Sequence, residues 1–237
     1  MHEILQLLFP SHCLLCGDAG SDLCLSCDSK IIRRFAPISL AGQEDVALWP
    51  GAYYGDELAQ LILMAKEQNN GVARNYLARL LVQAFVRANV TFVRANVAFV
   101  RANEDSPVDG QLLLVPIPSG SSSNRKRGYH HGYLLAMELA KELRRTCGIR
   151  ASAVELLRTN RRVADQSGLN RQERLRNMDG AYSIVRGAGK VGLPTPATRL
   201  YLIDDLVTSG SSLREGLRAL KVAGFSPSGA LLAGVKT

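Results

Sequence analysis

Apolar residues recur along this chain with two different spacings. Short continuous apolar runs alternate with segments in which apolar positions return every three or four residues. The first pattern marks strands buried on both faces, and the second marks helices with one face inward. Residues 52–54 predict a short strand. Asp56 then predicts the cap of a helix that turns Leu58, Leu61, Ile62 and Ala65 inward. A second helix is expected from about Val72, with Leu77, Leu80, Leu81 and Val82 inside. Residues 111–118 read as a buried parallel strand ending in Pro116 and Pro118. A third helix carries Leu134, Leu135, Met137, Leu139 and Leu143. Residues 154–157 and 199–203 read as strands, 214–222 as a helix stopped by Gly224, and 230–235 as a last strand. Strands alternating with helices predict an α/β chain built on a doubly wound parallel sheet.

One stretch departs from this rhythm. Phe85-Val86-Arg87-Ala88-Asn89-Val90 returns at 92–97 and again, truncated, at 99–103, with a period of seven. Val86, Val90, Val93, Val97 and Val100 then fall on one helical stripe. The simplest reading is a helix lengthened by duplication, an insert over about 85–103. Fewer than three full copies argue against a solenoid. The expected organisation is a cysteine knot over 1–35, a linker over 36–50 punctuated by Pro37, Gly42 and Pro50, and a main domain over 51–237.

Composition narrows the class. The chain has 237 residues and is 46% hydrophobic, enough for one α/β domain with a small appendage. No apolar run approaches the length of a membrane span, so no membrane partner is expected. The apolar start at 1–10 is short, carries Glu3, and precedes no small-residue cleavage site. A cytoplasmic location is therefore expected. The net charge is +8, and the segment 125–176 holds 13 basic against 5 acidic residues, which accounts for the whole excess. Such a segment attracts phosphates, whether of a small substrate or of nucleic acid.

Four of the five cysteines form two C-x-x-C pairs, Cys13 with Cys16 and Cys24 with Cys27. Four thiolates this close can sit at the corners of a tetrahedron, the arrangement that Zn²⁺ takes in closed structural sites. A knot this small buries little core, so metal binding would supply its folding energy. A redox pair or two disulfides are the alternatives. His12 beside the first ligand reads as a bystander, and Cys147 as an ordinary partly buried cysteine.

The run Leu202-Ile203-Asp204-Asp205-Leu206-Val207-Thr208-Ser209-Gly210-Ser211-Ser212-Leu213 carries the most chemistry. An apolar strand ends in two carboxylates, a loop of small residues follows, and a helix begins. Backbone N–H groups of such a loop, with the helix N-terminus behind them, can close around a phosphate. Asp204 and Asp205 stand at the carboxyl end of the strand, where open α/β sheets place their ligands. Carboxylates there suit ribose hydroxyls. Ser119 and Gly120 end the earlier strand in a second small loop, followed by Arg125, Lys126 and Arg127, a donor set fit for a polyanion. Arg161, Arg162, Arg171 and Arg174 form a basic loop with the composition of a lid. A buried strand with an acidic turn, and surface loops with scattered cations, are the plainer alternatives. His130 and His131 read as surface residues.

The Asp-Asp loop resembles the ribose-phosphate signature of the type I phosphoribosyltransferases. The order of pieces is similar to the ComF family: the four-cysteine knot, the Val-Pro-Ile-Pro strand end, the Arg-Gly-Tyr step, the Gln-Ser-Gly-Leu and Arg-Leu-Arg-Asn loop, and the Asp-Asp loop. One departure is Arg127-Gly128-Tyr129-His130-His131, where family members often carry Arg-Gly-Phe-Asn-Gln. The resemblance implies a sheet of the type I phosphoribosyltransferase kind behind a zinc-binding knot. It implies phosphoribosyl pyrophosphate (PRPP) as ligand and a Mg²⁺-dependent transfer of its 5-phosphoribosyl group. Asp204 and Asp205 would hold the ribose and favour positive charge at its anomeric carbon. Thr208, Ser209, Gly210, Ser211 and Ser212 would take the 5′-phosphate, and Ser119, Gly120 and Arg127 the pyrophosphate. The rival expectation is a non-catalytic competence protein that handles single-stranded DNA, senses PRPP, or docks competence-machinery proteins. Aromatic platforms are sparse in the basic segment (Tyr129, Tyr133), which weakens the single-strand reading.

Overall fold

The computed structural model describes residues 11–40, 42–94, 112–119, 127–160, 178–185 and 198–236. The chain opens with the cysteine cluster and a short helix α1 (Leu25–Lys30), followed by β1 (Ile38–Leu40) and β2 (Gln43–Tyr53). Helices α2 (Asp56–Glu67) and α3 (Gly71–Ala88) lead towards β3 (Leu112–Pro116). Then come α4 (His131–Cys147), β4 (Ala151–Ala153), β5 (Leu157–Thr159), β6 (Tyr182–Ile184), β7 (Arg199–Val207), α5 (Ser211–Val222) and β8 (Gly229–Val235).

Six strands form one sheet in the order β1-β2-β8-β7-β3-β4. Pairing is parallel from β2 to β4, and β1 alone runs antiparallel. This is the mixed α/β architecture that the alternation of patterns predicts. Side chains on a strand alternate between faces, so each strand feeds two cores. Leu112, Leu114, Tyr201, Ile203, Leu231 and Ala233 pack with α2, α3 and α4 on one face. Leu113, Val115, Leu200, Leu202, Ala230 and Leu232 pack with α5 on the other. Strands this apolar on both sides cannot face water, which is why both faces are covered. Among the described residues, no helix is long and apolar enough to cross a membrane.

Three expectations need correction. The stretch 36–50 is not a linker, because it supplies β1 and most of β2. Pro50 lies inside β2, level with Leu232 of β8 and beyond Leu48, the last residue of β2 that β1 pairs. The strand expected over 154–157 is displaced into two short strands on either side, β4 and β5. The duplicated stretch does not continue one straight helix from α3. Helix α3 ends at Ala88 and helical turns resume over 90–94. The break is at Asn89, a weak helix former whose side chain has other bonds to make. Its amide is buried, donating to the Phe85 carbonyl (3.0 Å) and accepting from the Tyr201 hydroxyl (3.0 Å). The valine stripe breaks with it: Val93 is buried and Val90 exposed. Residues 95–103 of the repeat lie outside the described residues.

The cysteine cluster is bound to the main body through α1. Asp28 accepts from Arg33 Nη2 (2.7 Å) and from the Tyr76 hydroxyl of α3. The Arg33 guanidinium also stacks over the Tyr76 ring at 5.6 Å.

Candidate functional site at the strand tips

Strands β3 and β7 are neighbours, with Pro116 level with Ile203. The two loops singled out in the sequence therefore leave the sheet side by side at its carboxyl edge. Strand β7 runs through Val207, so the acidic pair lies inside the strand and not beyond it. That position separates the two carboxylates, because consecutive strand residues point to opposite faces.

Asp204 borders a small cavity of about 40 Å³ together with Thr208, Ser209, Gly210, Ser211 and Ser212. Gly210 shapes this loop. Its φ is +72°, and a Cβ there would lie 2.4 Å from Leu40 Cδ1, so only glycine fits. As the N-cap of α5 it offers no side chain to the first helical amides. Ser209 and Ser211 hydroxyls lie 2.9 Å apart, and the Ser211 N–H reaches Ser209 Oγ at 3.4 Å. The result is a cradle of hydroxyls and amide donors at a helix N-terminus, with one carboxylate beside it, an arrangement that accepts a phosphate and a neighbouring polyol.

Asp205 turns the other way. Lys66 Nζ of α2 lies 2.9 Å from its Oδ2, and His131 Nε2 at the start of α4 lies 3.4 Å from the same oxygen. Burial by itself would raise the Asp205 carboxyl. The His131 ring and the Lys66 ammonium outweigh burial and hold it below the usual carboxylate range. Asp204 moves oppositely: burial and the charge of Asp205 lift it well above the ordinary value, against the pull of Lys66. The two neighbouring carboxyls are thus shifted in opposite directions by their surroundings.

The β3 loop divides similarly. Ser119 lines a cleft of about 630 Å³ with Pro118, His130, Tyr133, Glu155 and Arg158. Gly120 lies outside the described residues, as does the basic loop with Arg161, Arg162, Arg171 and Arg174. Arg127 does not line that cleft. Its side chain is 8% exposed and Nη1 pairs with Glu67 Oε1 at 2.8 Å, while Nε and Nη2 have no hydrogen-bond partner. Nearby, the Tyr129 hydroxyl donates to the Lys66 carbonyl (2.7 Å) and accepts from the Asn69 N–H (3.0 Å). The segment 127–131 thus clasps the end of α2.

Four side chains at this edge escaped the sequence reading. His131 was expected at the surface, yet it is buried at 2% exposure against Asp205. Lys66 carried a faint signal, because Leu58, Ile62 and Lys66 repeat every four residues and a cation ends an apolar stripe. Tyr182 and Glu215 carried none. The Tyr182 hydroxyl donates to the Pro118 carbonyl at 3.1 Å, tying β6 to the β3 tip. Glu215 of α5 accepts from the Tyr182 N–H (3.0 Å) and pairs with Arg218.

The cysteines form the second candidate site. The Sγ atoms of Cys13, Cys16, Cys24 and Cys27 all lie within 4.8 Å of one another. A tetrahedron with Zn–S bonds of about 2.3 Å has edges of about 3.8 Å, so the cluster has the size a zinc ion needs. The Cys24 and Cys27 N–H groups approach Cys13 Sγ (3.4 Å) and Cys24 Sγ (3.5 Å). Such backbone donors outweigh burial at Cys13 and bring its thiol down to about 6.

Fold and sites together define a mostly parallel α/β protein with a four-cysteine cluster, a small-residue cradle and a divided acidic pair at adjacent strand tips. No family model matches the chain. It is similar to Competence protein F of Haemophilus influenzae, with 25% identity over 172 residues, 73% of this chain and 65% of that protein. The matched region thus spans just under two thirds of the curated relative. This similarity supports membership of the ComF family.

Proposed function

We propose that the chain binds PRPP at the tips of β3 and β7 and transfers its 5-phosphoribosyl group to an acceptor nucleophile. The observation that carries this reading is the cradle, in which Asp204 borders the same cavity as Thr208, Ser209, Gly210, Ser211 and Ser212. There the 5′-phosphate would accept from loop amides and hydroxyls, and Asp204 would accept from a ribose hydroxyl. Pyrophosphate would leave on the β3 side, against Ser119 and Gly120, with Arg127 adding positive charge to that flank. PRPP would enter as its Mg²⁺ complex, which lowers the charge of the leaving group. The side chains contribute electrostatic stabilisation and positioning, since bond cleavage builds positive charge at the anomeric carbon beside Asp204. Zinc on Cys13, Cys16, Cys24 and Cys27 would be structural, because four protein ligands leave no open position.

The similarity to Competence protein F favours a second reading, a non-catalytic competence protein that acts in single-stranded DNA uptake or senses PRPP. Calorimetric titration with PRPP and Mg²⁺, pyrophosphate release with candidate acceptors, and binding of labelled single-stranded DNA at two salt concentrations separate the two. PRPP binding with pyrophosphate release supports transfer. PRPP binding without release supports sensing. DNA binding that survives moderate salt supports the nucleic-acid role, whereas binding lost there is charge attraction alone.

A further inference from the structure

Lys66, His131 and Asp205 form a polar cluster, buried at Asp205 and His131, built from three distant parts of the chain. Lys66 ends α2, His131 begins α4 and Asp205 lies near the end of β7. The Asp205 side chain is 7% exposed and that of His131 is 3% exposed, so neither is open to solvent. Lys66 Nζ donates to Asp205 Oδ2, and His131 Nε2 approaches the same oxygen. The adjoining Asp204 makes no such pair. Its Oδ1 accepts the Asp205 N–H at 2.9 Å, and it faces the cradle.

We infer that Lys66 and His131 are positioning residues that withdraw Asp205 from the ligand, so that the acidic tip presents Asp204 alone to a bound pentose phosphate. This rests on the PRPP reading and assigns a different task to each aspartate. Three features support it. Both contacts draw Asp205 Oδ2 towards α2 and α4, and Asp205 is not among the residues that border the cradle cavity, whereas Asp204 is. Anchoring Asp205 from α2 and α4 fixes the rotation of β7 about its axis, and that rotation sets where Asp204 points. The clasp of 127–131 on α2, through Arg127–Glu67 and Tyr129–Lys66, holds both partners of Asp205 in one rigid unit.

The test compares two probes, PRPP with Mg²⁺ and inorganic phosphate alone, by calorimetry, with thermal unfolding measured in parallel. Phosphate reports on the 208–212 cradle, and PRPP reports on the cradle together with the pentose-facing acid. Asp204→Asn should weaken PRPP binding by about tenfold or more without weakening phosphate binding. Lys66→Met should weaken PRPP binding less and also lower the melting temperature, because it strands Asp205 without its ammonium. Lys66→Arg should restore both. The pair Lys66→Met with Asp205→Asn should recover most of the PRPP affinity, because no unpaired buried charge remains. Asp205→Asn that abolishes PRPP binding as fully as Asp204→Asn, with no recovery in the double variant, overturns the inference. Equal loss of phosphate and PRPP binding in Lys66→Met also overturns it, since that reports general damage. Wild-type protein that binds phosphate but not PRPP sinks the phosphoribosyl reading. The cluster is then judged by melting temperatures alone: strong non-additivity between Lys66→Met and Asp205→Asn supports anchoring, and additivity refutes it.

Discussion

Lys66 Nζ meets Asp205 Oδ2 at 2.9 Å across 139 positions of sequence, and this contact fixes the geometry of the β7 tip. It binds the end of α2 to the strand that carries the acidic pair. Replacing Asp205 by Asn removes the anion and leaves an ammonium that still reaches water, with a 35% exposed side chain. The expected loss of stability is about 1–3 kcal/mol, read as a lower denaturation midpoint with an unchanged slope.

The two aspartates should respond to pH with opposite signs. The Asp205 carboxyl is lower in the folded chain than in the unfolded one, so its contribution is present above the ordinary carboxylate value and is lost as pH falls towards the folded value. The Asp204 carboxyl is higher when folded, so stability declines as pH rises from the ordinary value through the raised one. Asp204→Asn should therefore stabilise the chain at neutral pH and flatten the upper part of the melting profile, while Asp205→Asn flattens the acid limb. Identical profiles for the two variants would contradict the division between them.

Gly210→Ala tests the cradle. The alanine must adopt φ near +72° and displace the Leu40 side chain. The left-handed conformation alone should cost about 1–3 kcal/mol, with an overpacking penalty in addition. Phosphate binding measured by calorimetry should disappear even where the variant remains folded.

Glu215→Ala removes the acceptor for the Tyr182 N–H and the partner of Arg218. Leaving a buried donor unpaired should destabilise the fold by about 1–3 kcal/mol. Hydrogen exchange at Tyr182 should accelerate by a larger factor than exchange in β8, because the damage is local to the β6 connection.

Chelation of the purified protein should release stoichiometric zinc and loosen the region around α1. Cys13→Ser and Cys27→Ser should prevent zinc retention, as measured by elemental analysis. The Tyr76 hydroxyl, which donates to Asp28 at the knot boundary, provides a local ultraviolet signal for the loosening.

The cradle was legible in the sequence because its parts are contiguous: Asp204 and the small residues 208–212 need only one strand and one turn to meet. The cysteine cluster was legible for the same reason, with both C-x-x-C pairs inside 15 residues. The cluster around Asp205 was not, because Lys66 and His131 reach it only after the sheet has brought three segments together. An apolar stripe ending in lysine looks like an ordinary helix boundary. Likewise β2 was hidden by Gly42 and Pro50, residues that often punctuate strands: Gly42 only makes the turn from β1, and Pro50 sits within β2 itself. Asn89 shows the opposite failure. The repeat spacing predicts an unbroken helix, yet a buried amide bonded to Tyr201 of β7 and to the Phe85 carbonyl outweighs periodicity.

The connection from α3 into β3 enters the sheet at the amino end of its strand, and the first copy of the duplicated hexapeptide closes α3 just before it, with Phe85 and Asn89 against Tyr201 of β7. Tyr201 lies early in β7, away from the carboxyl tips. The spacing of the β3 and β7 tips is fixed by ladder register and by the α2 clasp, and neither depends on how much polypeptide intervenes. A change in the length of the α3–β3 connection therefore leaves the relative placement of the two strand tips unaltered.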